Sequence, residues 1–136
     1  MTFETKVAIL VREDLAMWQK LNVTAFLATG IAGATPEAMG DPYEDAAGRY
    51  HAALLGQPVM ILSATGEVLQ RAFHQAIQRE LRRAVYVEAM FATGHDAANR
   101  EAFRAEPADA PNLVGIALFG PRKEVDKAAK GARMHP

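Results

Sequence analysis

The chain has 136 residues, 15 Lys and Arg against 16 Asp and Glu for a formal charge of −1, no cysteine, and 50% of its residues in the apolar set. One domain of that length buries roughly 68% of the surface its unfolded form exposes, enough for a core without staples. The missing cysteine excludes disulfides and thiolate metal sites, and the even charge leaves no global footprint for duplex nucleic acid. No apolar stretch approaches the roughly 20 residues of a membrane span, and the opening Met-Thr-Phe-Glu-Thr-Lys carries no basic region ahead of an apolar one. The expectation is a cytoplasmic protein that does not engage a membrane.

Residues 6–12, Lys-Val-Ala-Ile-Leu-Val-Arg, form a β-branched run without alternation, as in a strand covered on both faces. From Leu15 to about Ile31 the period becomes helical, with Trp18, Asn22 and Phe26 on one face and Asp14 placed to cap it. The second half of this helix is apolar nearly all round, which predicts packing in the core or against another chain, most simply a second copy in a homodimer. Residues 33–57 hold Pro36, Gly40, Pro42 and Gly48 without a sustained period, and read as a long loop containing short elements. Residues 58–63 predict a second buried strand. Thr65 then opens a helix with Val68, Leu69, Ala72, Phe73, Ala76 and Ile77 on one face. Residues 83–90 read as a third strand. Asp96 is placed to cap a short helix running to about Glu106, before Pro107. A fourth strand spans residues 113–119, where Gly115 signals a bulge or a close backbone approach, and Pro121 starts a last helix that Gly131 ends. This alternation predicts one α/β domain over residues 1–136, a three-layer sandwich with helices on both faces of a four-stranded, mostly parallel or mixed sheet.

Several chemistries lack their residues. The turn after the first strand, Arg-Glu-Asp-Leu, has no glycine to cradle a phosphate. His51, His74, His95 and His135 show no ligand spacing, Asp41, Glu44 and Asp45 lack the regularity of a calcium loop, and the single serine, Ser63, sits in no nucleophile elbow. No metal or cofactor is expected. What remains is polar text where strands end and helices begin, the place where open α/β sheets bind ligands. Lys20, Asn22 and Thr24 lie on the first helix, and Glu88, Thr93, His95, Asp96 and Asn99 at or beyond the third strand. Each also has a structural role open to it. Lys20 can snorkel, Asn22 can be a buried amide, and Thr24 can bond the preceding turn. Asp96 can be only a cap, and Glu88 can pair with Arg82 or Arg83.

The opening text Lys-Val-Ala-Ile-Leu-Val-Arg-Glu-Asp-Leu-Ala-Met, with the late Gly-Ile-Ala-Leu-Phe-Gly-Pro and Val-Asp-Lys, resembles the type II peptidyl-tRNA hydrolases. Trp-Gln-Lys-Leu-Asn-Val-Thr-Ala-Phe-Leu and Gly-His-Asp-Ala-Ala-Asn-Arg are closer still to the domain of unknown function 2000 family, related to that fold. The resemblance covers essentially the whole chain and implies a peptidyl-tRNA hydrolase-like α/β fold. The hydrolases carry a Gly-Lys-Gly-Lys run after the Met, where this chain places Gln19 and Leu21, with Lys20 one position out of register. Two readings follow. In one, the chain hydrolyses a small or RNA-linked ester with an altered active site, in which Lys20, Glu88 and His95 are catalytic and Asn22, Thr24, Thr93, Asp96 and Asn99 hold the substrate. In the other, it is a non-catalytic ligand-binding or self-associating protein that uses the same cleft.

Overall fold

A computed structural model describes residues 3–136. Strand β1 (Thr5–Arg12) enters helix α1 (Met17–Ala34), followed by a 3-10 turn (Pro36–Ala38) and a small hairpin of β2 (Tyr43–Glu44) and β3 (Tyr50–His51). Strand β4 (Val59–Ala64), helix α2 (Gly66–Gln78), strand β5 (Arg82–Val87) and a 3-10 turn (Glu88–Ala92) come next. Helix α3 (Asp96–Arg104), strand β6 (Leu113–Pro121), helix α4 (Arg122–Ala128) and strand β7 (Arg133–Met134) complete the chain. No helix among the described residues is long and apolar enough to cross a membrane.

The main sheet has five strands in the order β5-β6-β1-β4-β7, not the four expected from the sequence. Its only parallel pair is β1 with β4; β6 runs antiparallel to both β1 and β5, and β7 antiparallel to β4, so the sheet is mixed. Strand β7 escapes sequence reading because two residues are too few to display a period. It exists because Gly131, at a φ of +98°, turns the chain back onto Leu62 and Ser63.

The sheet is covered on both faces. Leu69, Ala72, Phe73 and Ala76 of α2 and Val125 and Ala128 of α4 bury against Ala8, Leu10, Ile116 and Leu118. On the other face Val23, Leu27 and Ile31 of α1 bury against Val7, Ile9, Ala117 and Phe119. The spacing of those three α1 residues explains the apolar second half of the helix by its own core. Gly115 permits the close contact, since a Cβ there would stand 2.7 Å from Val23 Cγ1 and 2.9 Å from Leu27 Cδ1. It also faces Tyr86 just where the β5–β6 register slips by one residue, so a bulge and a close approach coincide.

Three local expectations are corrected. Asp14 does not cap α1, because Arg12 Nε donates to its carboxylate at 2.6 Å; the N-cap is Ala16, whose N–H donates to the side chain of Gln19 at 3.0 Å. Asp96 is the first residue of α3 rather than its cap, and pairs with Arg100 at 2.7 Å, while His95 occupies the cap. The third strand stops at Val87 instead of residue 90, where the β6 partner ends at the bulge. Met90 folds back so that its sulfur accepts the Val87 N–H at 3.5 Å.

Candidate functional site

Where α1 lies across β5, a cavity of about 260 Å³ opens between the helix, the turn after β5 and the start of α3. One wall is the row Trp18, Asn22 and Phe26, spaced by four so that one helix face carries all three. The floor is Tyr86, and the turn after β5 returns Met90 and Phe91 to the same space. The aromatic rings form a continuous chain. Trp18 meets Phe91 edge-on with centroids 5.7 Å apart, Phe91 meets Tyr86 at 5.4 Å, and Tyr86 meets Phe26 at 5.8 Å. Thr93, His95, Asp96 and Asn99 supply the polar rim.

The hydrogen bonds within this rim determine what it can offer. His95 Nδ1 accepts the Ala98 N–H at 3.2 Å as the helix cap, so in the neutral ring the proton sits on Nε2 and is a donor. Thr93 Oγ1 has one proton and gives it to the Met90 carbonyl at 2.9 Å. Thr93 Oγ1 shares that proton with the Asn99 carbonyl oxygen, so this oxygen is engaged within the rim and the Asn99 NH₂ is left free to donate. Burial pushes the Tyr86 phenol above its ordinary pKa of 10.0, opposed in part by a hydrogen bond with the Asn22 amide. Asp96 is neutralised by Arg100. The cavity thus combines apolar aromatic walls with one edge of hydrogen-bond donors, His95 Nε2–H and the Asn99 NH₂.

Five of the residues singled out from the sequence, Asn22, Thr93, His95, Asp96 and Asn99, line this one cavity. Lys20, Thr24 and Glu88 do not. Lys20 is half-buried on the sheet-facing side of α1, in step with Val23 and Leu27, and makes no ion pair among the described residues. Thr24 Oγ1 donates to the Lys20 carbonyl at 2.7 Å. Glu88 pairs with neither Arg82 nor Arg83. Asn112 Nδ2 donates to its carboxylate at 2.7 Å, and Arg12 stands 3.5 Å away. Tyr86, Met90 and Phe91 are not signalled by the sequence, because a strand running through residue 90 would send alternate side chains to opposite faces. The sequence signal that was available is the Trp18, Asn22, Phe26 row itself.

A wider hollow of about 470 Å³ beside α3 is bounded only by that helix and the segment after it, with no facing element to close it. No group of three or more His, Asp or Glu positioned for a metal occurs among the described residues.

The model of the family described as "protein of unknown function (DUF2000)" matches residues 5–136. The chain belongs to that family. A DUF2000-like fold is also seen in a solved structure, that of a protein of unknown function from Agrobacterium tumefaciens strain C58. It is 46% identical, with a TM-score of 0.93 over 99% of this chain and 100% of the other. Among curated proteins none matches.

Proposed function

We propose that this DUF2000 chain binds, without transforming it, a compact planar heterocycle that carries two hydrogen-bond acceptors along one edge, and that it does so in the cytoplasm. The observation that carries the reading is the chain of four aromatic rings closing on a rim where His95 Nε2–H and the Asn99 NH₂ donate. The cavity volume of about 260 Å³ falls just below the usual range for drug-sized ligands and suits a single ring system. Stacking on aromatic side chains contributes about 1–3 kcal/mol per ring, enough for micromolar binding when combined with two directed hydrogen bonds.

The ester-hydrolase reading draws its support from the resemblance of β1 and of the β6–α4 text to the type II peptidyl-tRNA hydrolases. It requires Lys20 and Glu88 to reach the same bound molecule as His95. Their placement off the cavity, with both Glu88 oxygens occupied, favours binding over hydrolysis.

Trp18 is the only tryptophan of the chain, so its fluorescence reports on the cavity directly. Titration with purine, pyrimidine, nicotinamide and indole compounds is expected to quench it for at least one class, with affinity weakened about 5- to 150-fold by Phe91→Ala. No change in emission across the panel at millimolar ligand, or quenching indifferent to Phe91→Ala, overturns the binding reading. Turnover of an aminoacyl ester that is lost in both Lys20→Ala and Glu88→Ala would restore the hydrolase.

A further inference from the structure

The outer face of α1 is apolar and uncovered. Met17, Leu21, Ala25 and Thr29 follow one another at spacing four along the exposed side, with Trp18 and Phe26 beside them. Met17, Trp18, Leu21 and Phe26 are 67%, 61%, 65% and 51% exposed. Lys20 is the one charge in the 18 residues of the helix, and it lies on the opposite, sheet-facing side. The core does not explain Met17 and Leu21, since Val23, Leu27 and Ile31 already supply the buried contacts, whereas Trp18 and Phe26 also wall the cavity.

We propose that this face pairs with a second copy of the chain, α1 against α1 about a two-fold axis at Leu21. A two-fold axis brings each side chain on it against its own image, which a charged residue resists and this uncharged row accepts. The small side chains of Ala25 and Thr29 let the helix axes approach closely. Burial strands no donor there, because Thr29 Oγ1 already donates to the Phe26 carbonyl at 2.7 Å. The antiparallel arrangement also sets opposite ends of the two helix dipoles side by side.

The area suffices. Large side chains bury about 150–250 Å² each, so the exposed parts of Met17, Trp18 and Leu21 leave roughly 400 Å² per copy, and the exposed Ala25 and Thr29 raise it to roughly 500 Å², or about 1,000 Å² for the pair. A specific interface needs about 1,000 Å² in total, and in homodimers about 65% of it is apolar, so the apolar requirement is met by these residues alone. A bilayer fits the face less well. Interfacial helices carry Lys and Arg around their apolar side, whereas α1 is preceded by exposed Glu13 and Asp14 and has no basic residue on its outer surface.

Sedimentation velocity of the intact chain at micromolar concentration is expected to show a dimer. Leu21→Glu sets two carboxylates face to face and should weaken the dimer about 100-fold or more. Ala25→Glu, one turn on, sets an unpaired carboxylate against Met17 of the second copy and should also weaken the dimer. Neither position lines the cavity, and both are exposed, so circular dichroism should remain native. Mixing Leu21→Glu with Leu21→Lys protomers should restore a heterodimer, which only a Leu21-to-Leu21 contact across the axis allows. A monomeric native chain, a dimer that survives both acidic variants, or a native monomer that co-sediments with phosphatidylcholine and phosphatidylglycerol vesicles would each overturn the proposal.

Discussion

Adding one methyl group to either of two glycines should move stability in opposite directions. At Gly115 a new Cβ would lie 2.7 Å from Val23 Cγ1, 2.9 Å from Leu27 Cδ1 and 3.2 Å from the Leu10 carbonyl oxygen. The first two contacts can relax only by lifting α1 from the sheet, and the third is with backbone. Overpacking of this kind costs about 1–3 kcal/mol. At about 4 °C per kcal/mol for a domain of this size, Gly115→Ala should melt roughly 4–12 °C below the native chain. At Gly33, near the end of the same helix, a Cβ meets nothing within 4 Å. There Gly33→Ala only removes backbone freedom from the unfolded chain and should gain about 0.5 kcal/mol. Thermal unfolding followed by circular dichroism measures both. Val23→Ala in the Gly115→Ala background should recover part of the loss, because it removes the closest clash and leaves the carbonyl contact in place. A Gly115→Ala protein that melts at the native temperature, or below which Gly33→Ala melts, would refute the packing of α1 described here.

His95 can be tested for two roles separately. His95→Ala removes the cap of α3 and should cost about 0.5–2 kcal/mol, whereas His95→Asn keeps a cap acceptor and should retain stability while losing the Nε2–H donor, so ligand affinity falls without a change in melting temperature. The Asp45 carboxyl is drawn down from 3.8 to about 2, first by the hydrogen bond with His51 and then by the Arg49 backbone N–H. Its folded-state pKa is depressed, so the order it gives the β2–β3 turn is complete above about 3.8 and lost as pH falls towards 2; the Ala47 amide shift should titrate with the low midpoint, and a midpoint near 3.8 would contradict the geometry. Tyr86 should ionise above the ordinary phenol value of 10.0 in an ultraviolet titration read as the difference from Tyr86→Phe, because burial raises its pKa. Raised in the folded state, that pKa means stability is whole below 10.0 and declines as pH climbs past it, a decline that Tyr86→Phe should abolish.

The layers of the fold were legible because they rest on long signals. Residues 6–12 and 113–119 are runs suited to a doubly covered strand and are buried as such, residues 58–63 form the expected strand but Val59 to Ser63 stay half-buried, and the α2 face of Leu69, Ala72, Phe73 and Ala76 is plain helical period. What escaped depends on single residues or on partners distant in sequence. Strand β7 exists through pairing with β4, and the end of β5 is set by the β6 bulge. The same holds for the cavity. Asn22, Thr93, His95, Asp96 and Asn99 declared themselves by sitting at element ends, but Phe91 joins Trp18 only because the chain turns at Glu88. Lys20 and Glu88 illustrate the converse. Both are polar at the sheet rim, yet helix rotation directs one towards the sheet, and Arg12, some 76 positions earlier, holds the other.

The free margin of β5 begins with Arg82 and Arg83. Arg82 is tied to Glu37 at 2.6 Å and to the Ala34 carbonyl at 3.1 Å, with its guanidinium 5.7 Å from the Phe119 ring. A strand from another molecule docking there would have to strip water from two guanidinium groups and break that tether before gaining its first backbone bond. Growth by adding strands end on end, the route to fibres, is thereby discouraged at this margin. Crowding the protein should accordingly leave it free of thioflavin-positive aggregates for as long as Arg82 and Arg83 remain, and the double change Arg82→Thr and Arg83→Thr is where they should first emerge.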